Sequence, residues 1–596
     1  MKSSRIRKVH KELSKALTNE GIELKNDSIY KITKINNISY QLEINHTPKS
    51  TNVSKELQLI SSKLLSKEQE LTKIVDHCVS NYQNLRTEEI IPILQGVDSY
   101  NKKIKRIHKE LIEQIEKTSI DNELSDFENV IDYPDIFPLA RKRKRKIVAH
   151  LGETNSGKTF HALSELANNS NTAYLAPLRL LALENYDYLN DRGIPTSLIT
   201  GEERRYVENN QCVSSTVECF NFNNDYDLII IDEIQMIDDP DRGWAFIQAL
   251  VGANAGTIIV TGPREYDNRI RQIAEYLNDE VEIKYFDRKS KLKVDTHPTH
   301  INNIKKNTAL VTFSRRDIFK LKKQLPKNLK ASLIYGALGS DVRKLQAERY
   351  INGETDVLIT TDAIGMGLNL PIERILFTTH EKYNGKTNTV LGDMLTKQIS
   401  GRAGRYGIFD VGYVGATNKD SLNYVKDAMK SSLYIENNKF KVQPTDDYIN
   451  KLMAKYNLST ILSDWSENTR FPESSMFVHD DMDNKIMIAK YLEKAYPEKV
   501  KEYYRLINCP IDVDKDMPVF KIYVKQMLED RDLQCPMCVP SALSVSDLEQ
   551  RVKEMLIFMW FLNQYPDVAI DYDSEMERAR QMLNNINTVL NEKLSK

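Results

Sequence analysis

GETNSGKT, residues 152–159, is the stretch from which the rest of this chain is read. Glycine, four residues, then Gly-Lys-Thr is the pattern of a phosphate-binding loop. Residues 147–151 ahead of it form a short apolar run and residues 160–167 behind it have helical spacing, so the loop is predicted to lie between a strand and a helix. Gly152 and Gly157 let the backbone along Thr154, Asn155 and Ser156 turn its N–H groups around a polyphosphate, and the helix behind presents its positive end. Lys158 reaches the outer phosphates, and Thr159 offers a hydroxyl to magnesium. The expected ligand is a nucleoside triphosphate with Mg2+.

From residue 147 onward short apolar strands alternate with helical stretches, the signature of a parallel, doubly wound α/β sheet. Strands are predicted at residues 147–151, 173–176, 228–231 and 257–260. Ligands gather at the carboxyl ends of such strands, so the loops that follow these four should share one site. Residues 285–292 read as a connector to a second alternating region, with strands at 309–313, 331–335, 357–360, 374–378 and 412–414 and no phosphate loop of its own.

Two further stretches carry chemistry. In LIIIDEIQ, residues 228–235, an apolar strand delivers Asp232 and Glu233 to its end. Asp232 is expected to orient the magnesium with Thr159, and Glu233 to polarise an attacking water, a division of labour that suits hydrolysis. In QISGRAGR, residues 398–405, Arg402 and Arg405 stand three apart on an expected helix start, where both can face one phosphate. A guanidinium supplied across a domain gap stabilises charge on the transferring phosphoryl group and makes turnover depend on closure. The glycines of DAIGMGLNL, residues 362–370, allow close backbone approach to a ligand or partner strand.

The 596 residues exceed what one core supports, and the length suggests roughly three to five domains. Charge is abundant but balanced, 83 basic against 84 acidic residues, so any nucleic-acid contact must come from a local groove. Six cysteines in so long a chain fit a reducing compartment and are no disulfide framework. No apolar run approaches the ~18 residues of a membrane span, so no membrane partner is expected. The basic beginning, MKSSRIRKVHKEL, lacks the apolar core of a signal peptide and ends too soon for a transit peptide.

Residues 1–138 read as an accessory region, mostly helical over 55–85 and 88–117, with a small hairpin around Asn36-Asn37; residues 121–138 read as its linker. Beyond about residue 437 the pattern is helical to the end, the last amphipathic stretch being 574–593. The basic run RKRKRK, residues 141–146, reads either as a nucleic-acid or localisation patch or, with more weight, as a solvated approach to a strand. CPMC at 535–538 has metal-ligand spacing but lacks a second pair, so a turn is favoured over zinc. Phe558, Trp560 and Phe561 fit a helical core better than a stacking platform.

Taken together, GETNSGKT, LAPLRLLALE (175–184), TGEE (200–203), STVE (215–218), DEIQM (232–236), DRGWAF (241–246), TDAIGMGLNL (361–370) and QISGRAGR resemble the ATP-dependent RNA helicase of the mitochondrial degradosome and its bacterial or viral relatives, within helicase superfamily two. The likeness is most specific over residues 147–415 and continues more weakly in CPID (509–512) and MWFLNQYPD (559–567). It implies two tandem RecA-like parallel-sheet domains, residues 139–290 and 291–436, flanked by the mostly helical regions 1–138 and 437–596.

The resemblance also implies roles. Lys158, Thr159, Asp232 and Glu233 would serve ATP and Mg2+, Gln235 and Gln398 would couple across the cleft, Arg402 and Arg405 would be arginine fingers, and Gly367 and Asn369 would lie near the nucleotide. Pro177, Arg179, Thr200, Gly201, Ser314, Arg315 and Thr360 would touch the RNA backbone, and Thr261, in TGPREYD, would link hydrolysis to strand separation, although the residues after it depart from the family pattern. The expected activity is ATP-dependent movement along single-stranded RNA, 3′ to 5′, with unwinding of tailed duplexes in RNA turnover and a ribonuclease as partner. The alternatives are a DNA or RNA–DNA hybrid translocase, and an ATP-gated clamp or assembly factor without unwinding. Cytoplasm, bacterial or of a virus-infected host, is the first expectation for location, and the mitochondrial matrix the alternative. Residues 382–388, with Asn384-Gly385 as a turn, read equally as a duplex-splitting wedge and as a plain surface hairpin.

Overall fold

The computed structural model describes residues 31–36, 39–43, 132–365, 370–383, 387–432, 435, 439–467, 471–530 and 532–595. The chain divides into two compact units, residues 1–130 with 468–470, and residues 131–467 with 471–596. In the first unit the described part is an antiparallel pair, β1 (Lys31–Asn36) and β2 (Ser39–Glu43), where the alternating pattern predicts a hairpin. The helices expected at 55–85 and 88–117 lie outside the described residues.

The second unit contains two sheets. The first comprises β3 (Lys146–Gly152), β4 (Thr172–Ala176), β5 (Thr196–Ile199), β6 (Arg204–Arg205), β7 (Cys212–Thr216), β8 (Tyr226–Ile231), β9 (Ala255–Gly262) and β10 (Glu280–Phe286), in the order β10-β3-β9-β8-β4-β7-β5-β6. All neighbours are parallel except β5 and β6. Burial on both faces explains why β3, β4 and β8 read as nearly unbroken apolar runs. β9 lies between β3 and β8, so the ends of those three strands meet, which is what places the site.

The second sheet, all parallel, comprises β11 (Lys291–Val294), β12 (Thr308–Val311), β13 (Ala331–Ile334), β14 (Val357–Thr360), β15 (Arg374–Phe377) and β18 (Val411–Ala416), in the order β11-β18-β15-β12-β14-β13. Between β15 and β18 in the chain, beyond the carboxyl end of the interior strand β15, stands an antiparallel pair, β16 (Glu381–Tyr383) and β17 (Asn388–Val390), with Asn384 and Gly385 outside the described residues. Lys382 Nζ donates to Asp362 Oδ2 at 2.5 Å at its base. The apolar core of this domain, built on Val311, Leu358, Ile375, Phe377 and Val414, also takes in Leu180 from the first domain.

Three expectations are corrected. Residues 285–292 are no plain connector: β10 pairs with β3 and β11 with β18, leaving residues 287–290 as the link. β10 and β11 are half-exposed edge strands in which charges alternate with apolar residues, and so lack the apolar run that marks a central strand. The C-terminal region is not wholly helical, because β19 (Phe440–Val442) and β20 (Phe477–His479) form a parallel pair beside the helix Gly243–Gly252. Residues 132–138, expected as linker, are an ordered strap: Tyr133 is fully buried among Phe137, Trp465, Phe471 and Phe477, and its hydroxyl donates to Gln443 O at 3.3 Å.

The basic run is divided between interior and solvent, with Arg145 buried and Lys142 and Lys144 exposed. Arg145 is 2% exposed; its Nε donates to both Asp279 carboxylate oxygens at 3.2 Å and its Nη1 to the carbonyls of Val251 and Ala253 at 3.0 Å. Arg141 donates to the carbonyls of Leu277 and Val251, Arg143 pairs with Asp225, and Lys144 and Lys146 pair with Glu280 and Glu282 of β10. The approach to β3 is solvated at Lys142 and Lys144, as the favoured reading has it, while its arginines are tied into the fold.

The helices Val545–Gln564 and Tyr572–Ser595 fasten to the second sheet domain. Tyr335 donates to Glu549 at 2.5 Å, Gln346 to Asn591 at 2.6 Å and Lys322 to the Leu594 carbonyl at 2.8 Å. Phe558, Trp560 and Phe561 are buried as core residues. Cys535 is buried, its backbone N–H donates to Glu575 at 2.7 Å, and burial pushes its thiol up to about 11. No helix among the described residues is long and apolar enough to cross a membrane.

Candidate nucleotide and nucleic-acid site

The phosphate loop leaves β3 and enters the helix Lys158–Leu166 at Gly157, whose φ of +91° no β-carbon would tolerate cheaply; Asn155 shares the left-handed region at +64°. Gly152 is equally constrained, since a Cβ there would meet the Phe286 carbonyl of β10 at 2.1 Å. Lys158 folds over the loop, its Nζ donating to the carbonyls of Gly152 at 2.8 Å and Glu153 at 2.7 Å. Burial lowers its pKa, and the nearby charges of Glu233 and Asp232 pull it back up. Ser156 is buried with its Oγ unpaired.

Asp232 follows β8 and is 3% exposed. Its carboxylate accepts from three hydroxyls: Thr159 at 3.0 Å, Tyr174 of β4 at 2.7 Å, and Thr261 of β9. The Thr261 oxygen also accepts the backbone N–H of Glu233 at 3.1 Å. Glu233 itself sits at φ +58°, ψ +58°, a strained left-handed conformation, and its carboxylate accepts from Gln235 Nε2 at 2.5 Å. One hydroxyl therefore sets both acids. Thr159 Oγ1 and Asp232 Oδ1 lie as adjacent oxygens, and this donor set fits a hard cation held directly or through water.

The second domain faces this array. Arg402 Nη2 is 3.8 Å from Glu233 Oε1 and donates to the Gly365 carbonyl at 2.6 Å. Burial lowers the pKa of Arg402, opposed by Glu233, Asp232 and Glu184, and burial lowers that of Arg405 as well. These arginines are not at a helix start as expected. The helix Asp393–Ser400 ends before them, and Gly404 at φ +74° carries the chain through a turn packed on Gly412. Gln398 Nε2 and Gln235 Oε1 are both buried without a partner. Gly367 and Asn369 lie outside the described residues.

The residues expected to touch RNA lie at or just beyond carboxyl ends of strands in the two sheets, Thr360 being the last residue of β14, but they differ in what they offer. Thr200 and Thr360 are fully buried: the Thr200 hydroxyl closes the TGEE turn through Glu203, and that of Thr360 donates to the Thr361 carbonyl at 3.2 Å. Their backbone is taken up as well, the Thr200 N–H donating to the Glu203 carbonyl at 2.8 Å and the Thr360 carbonyl accepting from the Thr312 N–H at 2.9 Å, so neither residue offers a ligand a surface, against the expectation. Gly201 lies beside Trp560, whose Cδ1 would be 3.3 Å from an added Cβ. The Pro177 carbonyl accepts from Arg242, and Arg179 pairs with Glu203 at 3.2 Å. Ser314 caps the helix Arg315–Gln324, and Arg315 pairs with Glu549 at 3.1 Å. Sequence reasoning gave no role to Tyr174, Glu184 or Arg288. Only Glu184 had a signal, as the last residue of LAPLRLLALE.

The DEXQ-box helicase domain of Suv3 matches residues 134–286, and the helicase conserved C-terminal domain matches residues 290–407. The chain is 34% identical over 518 residues to the "ATP-dependent RNA helicase SUV3, mitochondrial" of Candida albicans, covering 79% of this chain and 71% of that one. It is 32% identical to "DExH-box ATP-dependent RNA helicase DExH18, mitochondrial" of Arabidopsis thaliana, over 80% of this chain and 63% of the relative. It is 37% identical to DExH16, also named mitochondrial, from the same plant, over 64% of this chain and 68% of the relative.

Proposed function

This chain belongs to the Suv3 family of ATP-dependent RNA helicases, and from that premise we propose that it hydrolyses ATP to travel 3′ to 5′ along single-stranded RNA and part the duplex ahead. The observation that carries the proposal is Arg402 of the second domain, 3.8 Å from Glu233 of the first. That approach supports the reading of one composite site, complete only when the domains are closed.

In this reading the loop from Gly152 to Thr159 binds the polyphosphate, and Lys158 leaves its loop carbonyls for the outer phosphates. Thr159 and Asp232 would hold Mg2+, which when bound would supply Lewis-acid stabilisation of the transferring phosphoryl group. Glu233 orients the attacking water and takes up its proton, while Arg402 and Arg405 stabilise the developing charge. Loss of the γ-phosphate removes what Arg402 and Arg405 are drawn to, and the domains part. RNA lies across the strand ends, read through phosphates and sugars by Arg179, Arg315, Ser314 and the segments around Pro177 and Gly201, with Thr200 and Thr360 shaping those ends from within, and so without sequence preference. The β16–β17 pair is proposed as the wedge.

The relatives are named mitochondrial, which favours the mitochondrial matrix for this chain; nothing in the comparisons supports the cytoplasmic expectation. Work in RNA turnover beside a ribonuclease is the proposed role. The test is steady-state ATP hydrolysis without polymer, with single-stranded RNA and with single-stranded DNA, followed by unwinding of 3′-tailed and 5′-tailed duplexes. RNA stimulation with unwinding of the 3′-tailed duplex is expected. Stimulation by DNA alone would replace the substrate, hydrolysis without unwinding would leave a clamp, and unwinding from a 5′ tail would reverse the direction.

A further inference from the structure

With β10 ending at Phe286 and β11 beginning at Lys291, the whole link between the two sheets is residues 287–290. One of these four, Arg288, touches both loops of the nucleotide site. Its Nη1 donates to the Thr154 carbonyl in the phosphate loop at 3.1 Å and to the Gly401 carbonyl at 2.7 Å. Its Nη2 donates to the Ala403 carbonyl and its Nε to that of Ser290 at 2.9 Å. All four acceptors are neutral backbone atoms. Burial accordingly lowers the pKa of this guanidinium, and the charge of Glu153 opposes the shift.

The same two loops meet at two other points. Asn155 Nδ2 donates to the Gly401 carbonyl at 3.0 Å, and a Cβ on Gly401 would fall 2.6 Å from that of Thr154. Gly401 and Ala403 flank Arg402. A planar fork can hold carbonyls from two loops at one fixed separation, which a lysine ammonium on a flexible stem cannot do. A shift of about 1 Å between reacting groups is enough to slow a step by about 10²-fold.

We propose that Arg288 is a positioning residue for ATP hydrolysis, pinning the phosphate loop to the segment that carries Arg402 and Arg405 so that closure brings Arg402 onto the phosphoryl group. The inference rests on the finger reading of Arg402. It goes beyond that reading by giving the short link between domains a part in turnover.

The experiment uses the full chain with single-stranded RNA and compares Arg288→Met and Arg288→Lys, each alone and combined with Arg402→Ala. The readouts are kcat and KM for ATP, affinity for a fluorescent ATP analogue, and Tm. The expected result for Arg288→Met is a fall in kcat of about tenfold or more with analogue affinity within about threefold, and Arg288→Lys in between. On the Arg402→Ala background, Arg288→Met should cost less than about threefold further, because the group it positions is gone. A wild-type kcat in Arg288→Met, or a further loss of threefold or more on that background, overturns the inference while the finger reading stands. Arg402→Ala turning over at the wild-type rate overturns the finger reading and the inference with it. If Arg288→Met does not fold, Arg288→Lys carries the same comparison, since its ammonium can keep one of the two loop contacts.

Discussion

Replacing Thr261 by Val removes one hydroxyl from a residue that is 1% exposed, and the structure allows the consequence to be worked out. That hydroxyl donates to Asp232 and accepts the Glu233 N–H at 3.1 Å. Losing a hydrogen bond to a charged group costs about 1.5–3 kcal/mol, and leaving a buried N–H without an acceptor costs about 1–3 kcal/mol. Asp232 keeps Thr159 and Tyr174, so the larger change falls on Glu233, which holds a left-handed backbone at φ +58° worth about 1–3 kcal/mol of strain. Freed of its acceptor, that backbone relaxes and the carboxylate moves. A displacement of about 1 Å predicts a fall in turnover of about 10²-fold, equal to about 2.7 kcal/mol of activation barrier. The assay is RNA-stimulated ATP hydrolysis beside binding of a fluorescent ATP analogue, which should stay within about threefold because the phosphate loop is untouched. Thr261→Ser keeps the hydroxyl and should turn over within about threefold of the wild type. Thr261→Val at the wild-type rate, or Thr261→Ser as slow as Thr261→Val, would refute the reasoning.

Glu233→Gln should bind ATP and lose hydrolysis by about 10²- to 10⁴-fold in single-turnover measurements, the range of a general base; an unchanged rate removes that role. Lys158→Ala should abolish binding of the fluorescent analogue, and retained affinity would show that the loop works without its lysine. Burial holds the Glu184 carboxyl up to about 7, against the pull of Lys344 and Arg402, so it ionises as pH rises through that value and then attracts Arg402. The turnover profile should inflect near pH 7 and lose that inflection in Glu184→Gln. Because the folded pKa is raised, Glu184 favours folding most below its unfolded value of about 4.3, and this contribution falls as pH rises toward 7; identical profiles in the two proteins would reject the assignment. Arg145→Met leaves Asp279 buried with Arg141 at 3.7 Å as its remaining cation, and should destabilise by about 3 kcal/mol in chemical denaturation. A loss under about 1 kcal/mol would mean that Arg141 takes over the pair.

Much of the nucleotide site is legible in one dimension because its parts are local. The phosphate loop needs glycines at fixed offsets, and Asp232 and Glu233 announce themselves at the end of an apolar strand. Nine of the strands between residues 147 and 416 are readable for the same reason, being short apolar runs buried on both faces, whereas β5 and β7, TSLI and CVSST, are buried but rich in Ser and Thr and give no such signal. Edge strands such as β10 and the mixed pair β19–β20 lack that signal, and the basic run at 141–146 looked like surface because its acidic partners, Asp225, Asp279, Glu280 and Glu282, come from elsewhere in the chain.

By itself, the sequence determined that this chain has two tandem α/β domains, the first carrying a phosphate-loop pattern and a carboxylate pair at a strand end, the second carrying two arginines three residues apart. Those follow from residue type and short-range spacing. Only the tertiary structure decided that β9 falls between β3 and β8, so that the single hydroxyl of Thr261 bridges Asp232 and Glu233. It also decided that Arg288, in a four-residue link without any motif, joins Thr154 to Gly401 and Ala403. The physical reason is that hydrogen bonds to backbone carbonyls depend on where the chain passes in space, and a carbonyl has no letter of its own in the sequence.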